Sequence, residues 1–151
     1  MCPVRASSRK RAMTDFLTPK QRSIRMARIR STNTTPELVL RRGLHRLGFR
    51  FRLNDNKLPG CPDIVLRRYG AIVFIHGCFW HHHRGCSIAN NPKSNQIFWQ
   101  KKFAANVARD TRVRRLLRNR GWRVFVVWEC EVSTARRAIR TIERLGNRIS
   151  R

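Results

Sequence analysis

Histidines and cysteines are concentrated in one short stretch of the chain, between residues 74 and 86. These thirteen residues hold four of the five histidines, two of the five cysteines and the adjacent aromatic pair Phe79 and Trp80. Thiols and imidazoles bind zinc, and neutral imidazole also transfers protons near pH 7. The stretch therefore predicts both a metal site and acid–base chemistry.

Cys78, His83 and Cys86 have the short loop spacing of zinc ligands. A closed structural zinc site needs four such ligands, so one more must come from another part of the chain. We prefer Cys130, because it directly follows a predicted strand and can meet a loop that leaves a neighbouring strand. Cys61 is the alternative fourth ligand.

Carboxylates are scarce, since only eight accompany a formal net charge of +26. Asp63 begins a predicted strand directly after the rigid segment Pro59–Pro62, beside the strand that leads to His76. Mg²⁺ takes one or two carboxylates and otherwise water and phosphate oxygens, so Asp63 suits a magnesium site for phosphodiester hydrolysis. An ion pair between Asp63 and a nearby arginine is the alternative.

Three large aromatic residues, Phe79, Trp80 and Trp99, lie in or near this polar region of the sequence. Such rings can stack on bases or wedge between base pairs. The alternative is that they fill the core beside the metal site.

The charge balance indicates a polyanionic partner. The chain has 34 lysines and arginines against 8 acidic residues, and arginine suits bidentate contacts to phosphate or guanine. Nucleic acid is therefore the expected partner and an anionic membrane surface the weaker one. No apolar run approaches transmembrane length, so we expect an intracellular protein whose cysteines are reduced.

Apolar periodicity and capping signals predict the order α-α-β-β-β-α-β-α, a mixed α/β sheet flanked by helices. Thr18, Thr35 and Ser133 are the expected helix caps, and Phe98, Phe103, Val107, Val113, Leu116 and Leu117 are expected on one face of the third helix. The most hydrophobic strand, 122–128, is expected to be central. The predicted helices are 19–30, 35–47, 94–119 and 134–145, and the predicted strands are 49–53, 63–66, 71–75 and 122–128.

We divide the chain into a flexible basic arm (1–19), a catalytic domain (20–146) and a basic tail (147–151).

The ordered motifs of the chain resemble the very-short-patch repair (Vsr) mismatch endonuclease family from about Arg22 to Val132. The motifs are Leu58-Pro59-Gly60-x-Pro62-Asp63, Phe74-x-His76-Gly77-Cys78-Phe79-Trp80-His81-His82-His83, Phe98-Trp99, Asn106-Val107-x-Arg109-Asp110, Gly121-Trp122-Arg123-Val124 and Val127-Trp128-Glu129-Cys130. The resemblance implies a restriction-endonuclease-like fold of the PD-(D/E)XK superfamily with a structural zinc site. It also implies a monomeric, Mg²⁺-dependent enzyme of the bacterial cytoplasm, acting on nucleoid DNA. That enzyme would nick duplex DNA 5′ to the thymine of a T:G mismatch left by deamination of 5-methylcytosine.

The resemblance also implies a role for each site residue. Asp63 and the main-chain carbonyl of Ile75 would bind Mg²⁺, with His81 as the general base. His76, Glu37 and Asp110 would complete the active site. The remaining roles are zinc binding by Cys78, His83, Cys86 and Cys130, and intercalation by Phe79, Trp80 and Trp99. The family has threonine where this chain has Ile75, which keeps the main-chain carbonyl. The alternative function is a zinc-stabilised DNA-binding module without catalysis.

Overall fold

The computed structural model of this 151-residue chain describes residues 18, 20, 21, 24, 32–93 and 95–151. The chain divides into two units, 1–31 and 32–151. In the first unit, Thr18 N–H donates to Gln21 Oε1 (2.9 Å), and Gln21 N–H donates to Thr18 Oγ1 (3.3 Å). This reciprocal pair caps a helix at the predicted position. The arm before Thr18 and most of the predicted helix 19–30 lie outside the described residues.

The second unit is a mixed α/β structure, as expected, with helices and strands in the predicted order. None of the described helices is long and apolar enough to cross a membrane. Short 3₁₀ segments occupy Arg67–Tyr69 and Glu129–Val132. The regular elements are α1 (Thr35–Arg46), β1 (Arg52–Leu53), β2 (Ile64–Leu66), β3 (Ala71–His76), α2 (Gln96–Asn119), β4 (Arg123–Trp128) and α3 (Ala135–Ser150).

The four strands form one sheet in the order β1-β2-β3-β4. β2 and β3 form the predicted antiparallel hairpin, whereas β3 and β4 are parallel and pair from Ala71↔Arg123 to His76↔Trp128. The prediction that strand 122–128 is central was wrong, because β4 lies at an edge of this sheet. Its apolar residues cover both faces because helices pack on both sides of it. The parallel register brings the C-terminal ends of β3 and β4 together.

Helices cover both faces of the sheet. On one face, Leu44 of α1 and Leu145 of α3 pack in a core cluster with Val73 of β3 and Phe125 of β4. On the other face, Leu117 of α2 packs with Val65, Ile72 and Phe74. Alternate residues of a strand face opposite sides of a sheet. His76, two residues after Phe74, therefore lies on the side of α2.

Two helix caps differ from the predictions. Thr34 rather than Thr35 is the N-cap of α1, and its hydroxyl donates to Glu37 Oε1 (2.9 Å). Thr134 rather than Ser133 caps α3, where its Oγ1 accepts a hydrogen bond from Arg137 N–H. Adjacent hydroxyl residues offer equivalent capping signals, so the sequence does not decide between them.

The last helix is longer than predicted. α3 continues past Leu145 to Ser150, and Ile149 is fully buried. Residues 147–150, predicted as part of a basic tail, therefore belong to this helix. Arg148 and the following Arg151 made this segment look solvated, but Ile149 on its inward side packs in the core.

The predicted apolar face of α2 is only partly buried. Phe103 and Leu117 are buried, but Phe98, Val107 and Leu116 are 50%, 43% and 42% exposed. A 24-residue helix is roughly 36 Å long, whereas the six-residue strand β3 spans roughly 20 Å. The sheet cannot cover the whole helix, so part of the apolar face remains at the surface.

The adjacent residues Leu116 and Leu117 test this packing. We expect Leu117→Ala to lower the free energy of unfolding by about 2–5 kcal/mol, because it leaves a cavity in the core. Leu116→Ala on the exposed side is expected to change it by less than about 0.5 kcal/mol. Urea denaturation of both variants measures the difference, and equal losses would contradict this orientation of α2.

Candidate active site and metal centre

Cys78, His83, Cys86 and Cys130 form one ligand group. Their ligand atoms all lie within 4.8 Å of one another. His83 Nδ1 is 3.6 Å from Cys78 Sγ and 3.5 Å from Cys130 Sγ. Tetrahedral zinc bonds of about 2.0–2.3 Å separate neighbouring ligand atoms by roughly 3.5–3.8 Å, so the group fits such an ion. Cys61, the alternative fourth ligand, is exposed and lies outside the group.

The parallel pairing of β3 and β4 assembles this group. Cys78 and Cys130 each come two residues after the last paired residues, His76 and Trp128. Glu129 Oε2 accepts a hydrogen bond from Cys78 N–H (3.1 Å). The His83 ring stacks on Trp128 with 4.0 Å between centroids and 4° between planes. These contacts orient Cys78 and His83 within the ligand group.

The thiols of this group differ in acidity. Burial raises the pKa of Cys78 to about 12 and also raises the pKa of Cys130. The hydrogen bond from Ile88 N–H lowers the pKa of Cys86. Two of the three thiols thus favour the neutral form until a cation binds, since a coordinated thiol is deprotonated. Three thiols and one imidazole form a donor set of the kind that binds zinc.

His76, His81 and Asp110 form a second group whose ligand atoms lie within 4.8 Å of one another. His81 Nδ1 is hydrogen-bonded to Asp110 Oδ2. The rings of His76 and His81 stack with centroids 3.9 Å apart and planes 8° apart. Because the carboxylate accepts from Nδ1–H, the other ring nitrogen of His81, Nε2, keeps its lone pair available to accept a proton.

His76 is buried between its neighbours and stays neutral at pH 7. Burial, followed by the nearby His81, lowers its pKa to about 4. The Trp128 ring meets it edge-on with 5.3 Å between centroids. A neutral, tightly packed ring can lie against His81 without charge repulsion, and it restricts the orientation of His81.

Asp63 directly precedes β2, which begins one residue later than predicted, and its carboxylate contacts the main chain of β3. Ile75 N–H donates to Asp63 Oδ2 at 2.7 Å. Burial raises the pKa of Asp63, and the negative charge of Glu37 raises it further, while Arg41 acts in the opposite direction. The site therefore disfavours the ionised carboxylate unless a cation compensates its charge.

Glu37 is buried at the start of α1, and protein donors engage both of its oxygens. Oε2 accepts from Asn33 N–H (3.0 Å) and Arg41 Nη2 (2.7 Å), and Oε1 accepts from the Thr34 hydroxyl (2.9 Å). These contacts place Glu37 in a network of hydrogen bonds at the start of α1. Neither Glu37 nor Asp63 belongs to the group of His76, His81 and Asp110.

A cavity of about 890 Å³ opens between α2 and the loop that follows β3. His76, His81 and Asp110 line it together with Arg114 and Trp99. The group of His76, His81 and Asp110 is thus accessible from a space lined by a positive charge and by an aromatic ring.

Phe79, Trp80 and Trp99, predicted as a stacking set, are brought together by the fold. Phe79 lies 5.2 Å from Trp80 and 5.3 Å from Trp99 between ring centroids. Phe103 extends the cluster at 5.4 Å from Phe79, and Lys102 Nζ lies 5.5 Å from the Trp80 ring centroid. The three predicted rings are half-buried, so they pack together and also reach the surface.

Sequence reasoning missed several residues of this region. Asn106 Nδ2 donates to the Trp80 carbonyl (2.9 Å), and Arg114 lines the cavity. Both lie four residues from Asp110 on α2, so helical periodicity from Asp110 would have found them. His82, for which the sequence suggested no role, stacks on Phe103 at 5.1 Å.

Comparisons with known proteins agree on one family. The family model described as DNA mismatch endonuclease Vsr matches residues 14–87. The chain is 50% identical to "Type II nicking enzyme V.XorIIP" of Xanthomonas oryzae pv. oryzae, covering 80% of this chain and 88% of that protein. It is 42% identical to "DNA mismatch endonuclease Vsr" of Escherichia coli, covering 78% and 75%. It is also 47% identical to "Type II nicking enzyme V.NmeAIP" of Neisseria meningitidis, covering 80% and 85%.

The ligand geometry predicts which cysteine variant loses metal. We expect Cys130→Ala to lower both the bound metal content and the free energy of unfolding, because metal binding and folding are coupled. The matched variant Cys61→Ala should keep both. Elemental analysis and thermal unfolding of the purified proteins measure the two effects. Full metal occupancy in Cys130→Ala would reject Cys130 as a ligand.

Proposed function

Because this chain belongs to the Vsr family of DNA mismatch endonucleases, we propose that it nicks one DNA strand 5′ to the thymine of a T:G mismatch. Such a mismatch arises when 5-methylcytosine deaminates. The observation that carries the proposal is the hydrogen-bonded pair His81 and Asp110, which lines a cavity beside an aromatic cluster. The names of the similar proteins, nicking enzymes and a mismatch endonuclease, support it.

His81 is the general base of the proposed reaction. Asp110 accepts from its Nδ1–H and fixes the tautomer, so Nε2 can take the proton of the attacking water. The stacked neutral ring of His76 holds His81 in place. Arg114, which also lines the cavity, adds positive charge that attracts the phosphate.

Asp63 and the main-chain carbonyl of Ile75 would hold Mg²⁺. When bound, Mg²⁺ offsets charge on the scissile phosphate and lowers the pKa of the attacking water. The fit rests on Asp63, a half-buried carboxylate with a raised pKa, as expected of a group whose charge a cation must compensate. Isoleucine in place of the family's threonine leaves the carbonyl of residue 75 available.

The group of Cys78, His83, Cys86 and Cys130 would hold a structural zinc ion. Its ligand spacing suits zinc, which would stabilise the loop by closing it onto the end of β4. That loop carries Phe79, Trp80 and His81. Zinc would therefore act on catalysis indirectly, by positioning the aromatic pair Phe79 and Trp80 and the general base His81.

Phe79, Trp80 and Trp99 would enter the base stack beside the mismatch. Wedging side chains unstack a base step at a cost of a few kcal/mol. A mismatched pair costs less to unstack than a matched pair, so deformability contributes to the choice of site. The partly exposed cluster and the nearby Lys102 suit contact with bases and phosphate.

A nicking assay on T:G and T:A duplexes in Mg²⁺ tests the chemistry. We expect the unmodified protein to nick the T:G duplex selectively. His81→Gln should lower the rate by about 10²–10⁴-fold, since it removes the general base. Asp63→Ala should also abolish Mg²⁺-dependent nicking, while duplex binding persists in both variants.

His45→Gln is the matched control for His81→Gln, because His45 is exposed on α1 and should tolerate the change. If the unmodified protein bound duplex DNA without nicking it, the protein would instead be a non-catalytic DNA-binding module. If Asp63→Ala nicked at the unmodified rate, the magnesium assignment would be wrong.

Substitution of Trp80 tests base stacking separately from the nicking reaction. Trp80→Leu should weaken binding to the T:G duplex by about 1–3 kcal/mol, the typical value of one base–aromatic stack. Trp80→Phe keeps a ring and should retain most of the affinity. Fluorescence anisotropy with T:G and T:A duplexes measures both variants. Equal affinity of Trp80→Leu and the unmodified protein for the T:G duplex would exclude stacking by this residue.

A further inference from the structure

The exposed side of α3 and the residue that follows it carry a dense row of arginines. At 100° per residue, these arginines lie within about 120° of the helix circumference. All are exposed, and Glu143 is the one acidic residue between positions 135 and 151. We call this set the α3 arginine face; its members are Arg136, Arg137, Arg140, Arg144, Arg148 and Arg151.

This placement of charge costs stability in the isolated protein. Arg136 and Arg137 lie in the first turn of α3, which has no acidic residue, so they oppose the helix dipole. The i,i+4 neighbours along 136, 140, 144 and 148 carry like charges and repel one another. A polyanion along the face would reverse both effects.

Protein contacts engage only part of the face. Arg144 pairs with Glu131 (2.5 Å), and Arg137 Nη1 donates to the Cys130 carbonyl (3.2 Å). Across residues 32–93 and 95–151, no salt bridge or side-chain hydrogen bond involves Arg136, Arg140 or Arg151. Within the part of the chain that the structure describes, these three guanidinium groups are available to a partner.

The helix presents the face on a rigid support. Leu145 and Ile149 are buried beneath it, and the Arg123 guanidinium donates to the carbonyls of Arg148 (3.2 Å) and Ile149 (2.8 Å). One step of four residues advances roughly 6 Å along the helix. Each phosphate step of one DNA strand advances about 3.4 Å along the duplex axis, so two steps cover roughly 6.8 Å and are close to the spacing of the row.

The face lies apart from the nicking cavity. α3 packs with α1 on one side of the sheet, whereas α2, which lines the cavity, packs on the other side. We propose that the α3 arginine face is a second, sequence-independent binding surface for the backbone of duplex DNA. It would hold the protein on DNA through phosphate contacts made away from the mismatch.

Duplex DNA fits the face better than an anionic membrane does. The planar guanidinium forks match phosphate oxygens. A membrane-surface helix also needs a broad apolar face to insert, but the inward face of α3 is packed in the core and Ile139 is its one large exposed apolar residue.

The test replaces Arg136, Arg140 and Arg151 together by glutamine. For a matched duplex, we expect the slope of log K for binding against log salt concentration to become less negative by about 3, because three phosphate contacts are lost. Single-turnover nicking of a short T:G duplex at saturating protein should keep its rate, because the cavity is unchanged. The matched control replaces Arg112, Arg115 and Arg118 of α2, which are exposed and do not line the cavity.

Three results would overturn the proposal. One is an equal change of salt dependence in both triple variants, which would indicate diffuse net charge. Another is loss of single-turnover nicking in the folded α3 variant, which would make the face part of the cavity's own DNA contact. The last is unchanged duplex binding with lost binding to phosphatidylserine vesicles, which would assign the face to a membrane. If the unmodified protein failed to nick the T:G duplex, the proposed function would fall while the salt-dependence result still decided this inference.

Discussion

The parallel pairing of β3 with β4 is the contact on which the rest of the site depends. It sets His76 opposite Trp128, so both strands end at the same level. Two residues further on, Cys78 and Cys130 meet and close a ligand group with His83 and Cys86. A slip of one residue would reverse the faces of His76 and its neighbours, because strand side chains alternate. The cysteine–histidine group and the group of His76, His81 and Asp110 therefore depend on the same register.

In the loop after β3, neighbouring residues have different environments because each side chain contacts a different part of the protein. Phe79 contacts the rings of α2, His81 contacts Asp110, and His83 stacks on Trp128 at the end of β4. The run of three histidines is thus divided among separate environments. His82, in a left-handed conformation with φ of 47°, stacks on Phe103 between the other two.

Charge is the second constraint on this protein. With a net charge of +26, each buried carboxylate is surrounded by a positive field, yet burial and Glu37 still raise the pKa of Asp63. Glu37 is itself held by Arg41 in a buried ion pair (2.7 Å). Keeping two carboxylates near each other inside the protein is unfavourable unless cations compensate them. The proximity of these two carboxylates is consistent with a site that binds a divalent cation together with a polyanionic substrate.

The sequence by itself determined the class of the fold, the order of the elements, the β2–β3 hairpin and the family. Those features depend on local periodicity, turn residues and ordered motifs, all of which are properties of short segments. It could not decide the edge position of β4, because a strand covered by helices on both faces is apolar wherever it lies in the sheet.

Only the tertiary structure decided which distant residues meet. It selected Cys130 over Cys61, joined His81 to Asp110 and exposed half of the α2 apolar face. The sequence favoured Cys130, and the family resemblance grouped His81 with Asp110, but contacts between residues far apart in the chain follow from strand pairing and helix packing, which spacing alone does not give.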